Sequence, residues 1–507
     1  MAVNGVALSV FILVFALVTV LGFAAARWRA GDLTLLHEWG LGGRRFGSVI
    51  TWFLIGGDFY TAYTVIAVPA VVFGSGAAGF FALPYTIIVY PIVFLVMPRL
   101  WNVANRHNYV TPADFVGGRY GSNLLALAVA ITGILAVLPY IALQLVGMQV
   151  VIAAMGLSGS GIFADLPLVV AFAILAAYTY TSGLRAPAMI ALVKDVMIYI
   201  FVIVAVVVVP MKLGGYAHIF TVAQAHFALV GKGGILLAPA GYWPYATLAL
   251  GSAMAAFMYP HTVTGVLGAS SSVVVRRNAA MLPAYTFLLG LIALLGYMAI
   301  AAGLHPASPN FAVPALFNAL FPAWFAGFVF AAIAVGALVP AAIMSIAAAN
   351  IWTRNIDKAY LRPHITPADE ARTAKLVSLV VKLGALVFVL GIPTQYAINL
   401  QLLGGIWIIQ TFPAIVFGLY NRWFHDRALL AGWLVGMVAG TAMSFGAGIK
   451  PTFPILGITA YIGLEAFVLN LIVAAVLTPL FDQMHLPRGA DQTAPTDYED
   501  AVQTAAR

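Results

Sequence analysis

The sequence has no cysteine and very little charge. Among 507 residues there are 0 Cys, and Asp, Glu, Lys and Arg together make up 8%. The first absence excludes disulfides, thiol catalysis and cysteine-ligated metals. The second excludes an ordinary soluble domain, whose wetted surface needs roughly 25% charged residues. Acidic residues are the scarcer sign, 16 against 24 Lys plus Arg, for a net charge of +8. The basic residues are scattered over short loops, which points to membrane topology and not to nucleic acid. No Gly-Lys-Ser/Thr phosphate loop and no His-Glu-x-x-His pair occurs, which argues against ATP-driven pumping and zinc-protease chemistry. The loops are too short for a catalytic domain, so no enzyme activity and no cofactor are expected.

What the chain has in abundance is apolar sequence, 63% of its residues. A run of about 20 apolar residues crosses the hydrocarbon of a bilayer as a helix. Such runs fall at 5–26, 46–74, 76–98, 122–155, 163–181, 187–211, 243–266, 278–303, 322–351, 376–392, 394–420, 428–447 and 454–479. Two pairs are joined with almost no loop, at Gly74–Gly76 and at Ile392–Pro393–Thr394. The fold class expected is all-α and integral to the membrane, with about 13 crossings. The first run lacks a basic flank and a small-residue cleavage site, so it is expected to be retained as a helix.

Positive charge tests this layout. Loops after odd-numbered runs, plus the tail, carry Arg27, Arg29, Arg44, Arg45, Arg99, Arg106, Arg119, Arg185, Arg276, Arg277, Arg354, Lys358, Arg362, Arg372, Lys375, Arg422, Arg427, Arg488 and Arg507, which is 19 of the 24 Lys plus Arg. The opposite side holds Lys212, Lys232 and Lys450, and two lysines, Lys194 and Lys382, fall within runs. This bias places the N-terminus outside and the C-terminus in the cytoplasm, as for a multi-pass protein of a bacterial inner (plasma) membrane. The polar tail from Arg488 to Arg507 is expected to be disordered.

Interrupted helices are the sequence pointer to a solute site, because they free backbone groups at the bilayer midplane. The second run contains Ile55-Gly56-Gly57-Asp58-Phe59-Tyr60-Thr61. The seventh has Gly251-Ser252 and then Met258-Tyr259-Pro260-His261-Thr262. The eleventh has Gly404-Gly405 through Trp407, Gln410 and Pro413. Gly and Pro also mark plain kinks and close packing, so a single break decides little. Breaks in the second and seventh runs stand five helices apart, as two inverted five-helix halves require.

These residues carry a resemblance. Leu41-Gly42-Gly43-Arg44, Tyr109-Val110-Thr111-Pro112-Ala113-Asp114-Phe115 with Arg119-Tyr120-Gly121, Ser182-Gly183-Leu184-Arg185-Ala186 through Lys194-Asp195, and Ala341-Ala342-Ile343-Met344-Ser345 occur in order at the matching helices. Together they resemble the sodium:solute symporter family over nearly the whole chain. Gly56 to Thr64, Tyr259-Pro260-His261, and Trp407 with Gln410 resemble its bacterial monocarboxylate permeases most. The resemblance implies a leucine-transporter-like 5+5 inverted-repeat core with discontinuous helices and alternating access. It divides the chain into a first helix and loop (1–45), a first repeat (46–211), a second repeat (243–420), two peripheral helices (421–480) and a tail (481–507).

The resemblance also implies a cation site: carbonyls of Gly56, Phe59 and Ala342 with the hydroxyl of Ser345, and Asp195 nearby. Such a set is the expected weak sodium site. Two departures affect it. Ile346 stands where the family usually offers a second hydroxyl, and Lys194 where it usually has Thr. A hard cation wants several oxygens, so these departures favour protons over sodium as the coupling ion.

Charged residues inside a membrane are costly and face the protein interior. Asp195 is expected to shape the cation site, or else to be the structural partner of a buried cation. Lys194 would supply a positive charge in place of sodium, or pair elsewhere. As adjacent residues they leave a helix about 100° apart, so they are not expected to face one small cavity. Asp58 either lies by the cation or caps the second half-helix. His261 either relays a proton and meets the solute carboxylate, or is a satisfied interior histidine. Gly57, Tyr140, Gln144, Tyr259, Trp407 and Gln410 are the other candidate solute-lining residues. Lys382 and Glu465 carry no assignment beyond structure or oligomer contact. The expected function is uptake of a small monocarboxylate such as lactate or pyruvate with a cation. The alternatives are a sodium-coupled carrier of another solute, and a passive channel.

Overall fold

The computed structural model describes residues 3–28, 31–157, 166–390 and 397–500. Arg29, Arg507, residues 163–165 and the joint expected at Ile392–Pro393–Thr394 lie outside the described residues. The apolar runs are helical because, in lipid, each backbone N–H and C=O must find its partner within its own segment. In chain order the helices are α1 Gly5–Ala24, α2 Leu36–Leu41, α3 Ser48–Phe59, α4 Val68–Ser75, α5 Ala82–His107, α6 Pro112–Tyr120 and α7 Asn123–Ala154. Then come α8 Leu166–Ser182, α9 Arg185–Lys212, α10 Tyr216–Val230, α11 Tyr242–Ala256, α12 Pro260–Leu267, α13 Ser272–Met281 and α14 Pro283–Ala301. The last are α15 Ala312–Leu320, α16 Ala323–Ile351, α17 Pro367–Leu390, α18 Ala397–Ile408, α19 Asp426–Gly446 and α20 Ile462–Gln483.

Nine helical stretches among the described residues are long and apolar enough to cross a membrane. Ser48–Phe59 and Leu166–Ser182 are apolar but shorter. The seventh expected crossing is split between α11 and α12, of 15 and 8 residues. Burial sorts the long helices. The apolar stretch of α16 is buried throughout, whereas α1, α19 and α20 turn most of theirs outward, as helices facing lipid do.

The thirteenth expected run starts too early. Residues 454–461 belong to a hairpin, with β1 Thr452–Ile455 antiparallel to β2 Ile458–Tyr461, and α20 begins at Ile462. Leu456 and Gly457 sit between them at φ 51° and 81°, the backbone a two-residue hairpin turn requires.

Both expected interruptions are present. Helix α3 stops at Phe59, Tyr60 is non-helical (φ −96°, ψ 84°), and helix resumes through a π-turn at Tyr63–Ala67 into α4. Helix α11 stops at Ala256, and Tyr259 is extended (φ −58°, ψ 134°) before Pro260 opens α12. Proline fits there because a first helical residue needs no N–H partner. The freed backbone groups of the first break are taken up by side chains. The Ala62 amide donates to Gln144 Oε1 (3.0 Å), the Tyr63 amide to Thr61 Oγ1 (2.9 Å), and the Thr64 hydroxyl to the Phe59 carbonyl.

The tail is a docked strap and not a disordered one as far as Asp500. Three carboxylates hold it to the arginine-rich face. Asp491 meets Arg119 (2.7 Å) and Arg422 (3.6 Å), and Asp497 meets His107 (2.8 Å) and Arg106 (3.4 Å). Asp500 accepts from Ser272 (2.7 Å) and Asn102 (3.1 Å) and pairs with Arg276. Tyr498 is buried, with the Arg99 and Arg119 guanidinium groups 5.4 Å from its ring. Polar composition suggested disorder, but each carboxylate has a cation waiting far away in sequence.

Candidate functional site

The two breaks face each other. From the first, Asp58 Oδ2 accepts from Thr262 Oγ1 (3.2 Å) and lies 3.4 Å from His261 Nε2. All three are buried. They share a small cavity of about 10 Å³, also lined by Phe59, Tyr85, Tyr140, Ala256, Tyr259 and Gln401. Tyr140, Tyr259 and His261 pack with ring centroids 5.2–5.4 Å apart. Asp58 Oδ1, His261 Nδ1 and Gln401 Oε1 are buried without a hydrogen-bond partner. Unpaired polar atoms around one cavity are costly, and the two acceptors among them, Asp58 Oδ1 and Gln401 Oε1, call for a hydrogen-bond donor such as a solute hydroxyl. Helix α12 begins here, so the positive end of its dipole meets the pocket at His261 and Thr262.

An ionic cluster also meets the first break. Lys194 Nζ donates to the carbonyls of Gly57 (2.5 Å) and Tyr60 (2.9 Å) and sits 2.9 Å from Asp195 Oδ1. Asp195 Oδ2 accepts from the Tyr285 hydroxyl (2.7 Å), and the Tyr60 hydroxyl donates to the Tyr285 carbonyl (3.0 Å). Lys194 and Asp195 are both fully buried, at 0% exposure, so neither charge has water as an alternative partner. The expectation that adjacent residues cannot serve one site is therefore corrected. Helix geometry separates their Cα–Cβ bonds, but the four-carbon lysine stem brings its ammonium back to the neighbouring carboxylate.

The two glycines of the break permit this approach. A Cβ on Gly57 would lie 2.9 Å from Asp195 Oδ2 and 3.0 Å from Lys194 Nζ. A Cβ on Gly56 would lie 2.1 Å from the Tyr285 ring.

The expected cation ligands are distributed differently. The Phe59 carbonyl is taken by Thr64, and Ser345 Oγ donates to the Ala342 carbonyl (2.8 Å) within α16. Ile346 is buried and apolar. Positive charge instead sits on the carbonyls of Gly57 and Tyr60, each one residue beyond the expected Gly56 and Phe59. An oxygen set one position along the break is what the ammonium can reach from α9.

Of the expected solute-lining residues, Tyr140, Tyr259 and His261 meet at the pocket. Gln144 supports the break instead. Trp407 and Gln410 point elsewhere: Trp407 Nε1 donates to Thr441 (3.0 Å), and Gln410 bonds Ile406, Gly463 and Asn470. Both face α19 and α20, because the amide and indole find hydrogen-bond partners there. Among the described residues, Lys382 reaches the Ser378 carbonyl of its own helix (3.4 Å). Glu465 lies in an apolar groove with Trp243, Leu456 and Val468. Tyr60, Tyr85, Thr262, Tyr285 and Gln401 were not anticipated. Tyr60 and Thr262 lie within the two break segments and Gln401 is a lone amide between Leu400 and Leu402, so these three carried a signal in the sequence, whereas Tyr85 and Tyr285 did not.

A helical membrane protein whose broken helices meet at a buried polar pocket has the build of a solute carrier, and comparison with known proteins agrees. The profile of the Sodium:solute symporter family matches residues 39–440. A monocarboxylate transport permease protein of Rhizobium johnstonii is 60% identical over 484 residues, covering 94% of this chain and 97% of its own. An uncharacterized symporter of Bacillus subtilis is 33% identical, covering 94% of each chain. A substrate-bound, outward-open, Na+-coupled sialic acid symporter superposes with TM-score 0.75 at 16% identity, over 96% of this chain and 98% of that one; that likeness concerns the fold. The molecule is a multi-pass membrane transporter of the symporter class and not an enzyme. It belongs to the sodium:solute symporter family.

Proposed function

We propose that this protein imports a small monocarboxylate by proton symport, through alternating access. The observation that carries the coupling ion is the Lys194 ammonium lodged on the carbonyls of Gly57 and Tyr60 beside Asp195. It ties α9 to the broken helix as a bound alkali cation would. Removing one proton from this pair leaves a neutral amine beside the carboxylate, and adding one leaves a neutral carboxyl beside the ammonium; either weakens the tie, so protonation is linked to the position of the break.

The solute reading rests on the pocket between the breaks. The cavity is about the size of one water, so a short acid enters only as the two broken helices move apart. His261, Thr262 and the positive end of α12 suit its carboxylate. Asp58, 3.4 Å from His261, shares a proton with it when an anion enters, so two negative groups do not meet unscreened. The permease name of the Rhizobium relative supports the same solute class.

The remaining architecture is proposed with it. Helices two to six and seven to eleven of the thirteen expected form two inverted repeats, supported by the paired breaks at α3/α4 and α11/α12. The arginine-rich face is cytoplasmic, supported by the charge bias. A second reading, sodium coupling, is favoured by the Na+-coupled structural neighbour. Proteoliposomes tested with labelled lactate and a competing panel of pyruvate, acetate, propionate and dicarboxylates decide the solute class. Competition by monocarboxylates alone is expected. Lactate uptake equal to that of empty liposomes would overturn the proposal.

A further inference from the structure

Three cavities are linked through neighbouring lining residues, from the candidate solute pocket to the arginine-rich face. The first is the small pocket between the breaks. The second, about 10 Å³, is apolar and lies between Pro260, Met258, Ile351, Pro112 and Ala113. It starts where the first ends, since Tyr259 and His261 flank Pro260. The third is far larger, about 370 Å³, and shares Ala113 with the second. Its wall includes His107, Tyr109, Asp114, Arg354, Asn355 and Lys358, with Gln492 of the strap closing one side. The Gln492 amide donates to the Gly118 carbonyl (2.8 Å) and so holds the strap there.

The chemistry of the large cavity is that of an anion site. Arg354 and Lys358 share a single carboxylate, Glu370, at 3.2 and 3.1 Å, so neither cation has a carboxylate to itself. Arg354 Nε and the Tyr109 hydroxyl are buried donors without partners among the described residues. Burial first, and Asp114 second, push the Tyr109 phenol up to about 12, so it remains a donor at neutral pH. His107 pairs with Asp497 of the strap (2.8 Å). The acidic wall residue Asp114 is internally occupied. Its oxygens accept from the Val110 amide (2.8 Å), the Thr111 amide (3.2 Å) and Asn355 Nδ2 (2.7 Å).

We propose that this cavity is a second carboxylate site, on the cytoplasmic side of the Pro112–Pro260 constriction, where Arg354, Lys358 and Tyr109 hold the small acid as it leaves the transport path. The proposal rests on the function and orientation given above. An apolar constriction between two polar sites makes the passage a two-stage transfer: the anion is desolvated once between them and is received by fixed donors on the inner side.

The test is kinetic asymmetry. Right-side-out membrane vesicles give uptake at graded external lactate, and efflux at graded internal lactate. Tyr109→Phe, and the double Arg354→Gln/Glu370→Gln, which removes the cation together with its carboxylate, are compared with wild type. The double variant is expected to raise the internal half-saturation about tenfold, and Tyr109→Phe about threefold, by losing hydrogen bonds to an anion. External half-saturation should stay within twofold, which also shows that the variants fold. Because the chain has no cysteine, Ala359→Cys in the cavity wall supplies a second readout. A charged thiol reagent should label it from the inner side only, and internal lactate should slow the labelling. An unchanged internal half-saturation, or equal shifts on both sides, overturns the site while leaving the transporter reading intact. No lactate transport by wild type overturns both.

Discussion

The Lys194–Asp195 pair gives the sharpest energetic prediction. Its charges stand 2.9 Å apart with 0% exposure on each side chain. At an effective dielectric of about 20, that separation corresponds to about 6 kcal/mol of attraction. Desolvation offsets much of it, so the pair adds little net stability as a unit. Breaking it is another matter. Asp195→Asn leaves a buried ammonium without a counter-charge, and Lys194→Met leaves a buried carboxylate and two carbonyls without a donor. Each single change should cost about 3–5 kcal/mol. The double Lys194→Met/Asp195→Asn removes both charges and should cost much less than the sum, giving a coupling energy of about 3 kcal/mol. Equilibrium unfolding in bicelles of the four proteins measures this cycle directly. Single costs that add within about 0.5 kcal/mol would show that the two charges do not interact, and the ionic tie between α9 and the broken helix would be refuted.

Three further outcomes follow from particular contacts. Gly56→Ala places a methyl 2.1 Å from the Tyr285 ring. The ring must move and take its hydroxyl from Asp195, so uptake should vanish while the protein still reaches the membrane, at an overpacking cost of about 1–3 kcal/mol; normal uptake would contradict the packing described. Trp407→Phe should leave the half-saturation for lactate within about twofold and lower stability by about 1 kcal/mol, the worth of its bond to Thr441; a large change in half-saturation would return Trp407 to the solute pocket. The strap should be sensitive to salt but not to mild acid. Burial raises the Asp497 carboxyl, but the Ala494 amide, His107 and Arg106 together bring it below its ordinary 3.8. Asp500, similarly buried, is brought below 3.8 by Asn102, Ser272 and Arg276. Because both are lower when docked than when free, their stabilisation is complete above pH 3.8 and is lost as pH falls through the docked values. Proteolysis within 484–500 should accelerate at 1 M salt, where screening acts over about 3 Å, and stay slow at pH 5; release already at pH 6 would contradict this.

Local features were readable in the sequence and juxtapositions were not. Gly56-Gly57 and Pro260 act on the backbone where they stand, so both breaks could be found without knowing the fold. Asp58 and His261 were visible for the same reason, since a polar residue in an apolar run must face inward. That they face each other follows from how α3 meets α12. Tyr285 and Tyr85 look like ordinary membrane tyrosines, and only their distance to Asp195 or to the pocket distinguishes them. Lys194 and Asp195 were separated on paper because a helix wheel knows where side chains start and not where a long one ends. Trp407 and Gln410 carried the right residue types, but on the face of the eleventh segment that turns to α19 and α20. The hairpin at Thr452–Tyr461 is as apolar as a helix of that length, and only its Pro and Gly distinguish the two. The strap was hidden most completely, since its partners at Arg106, Arg119 and Arg276 lie more than 200 residues away.

The central claim is that the ammonium of Lys194 stands in for a bound alkali cation at the first break. Purified protein in proteoliposomes, given an inward proton gradient in sodium-free buffer, measures it most directly through accumulation of labelled lactate. Concentrative uptake is expected there, with no further stimulation by sodium and none of this uptake in Lys194→Met. Accumulation that appears only when sodium is added would contradict it.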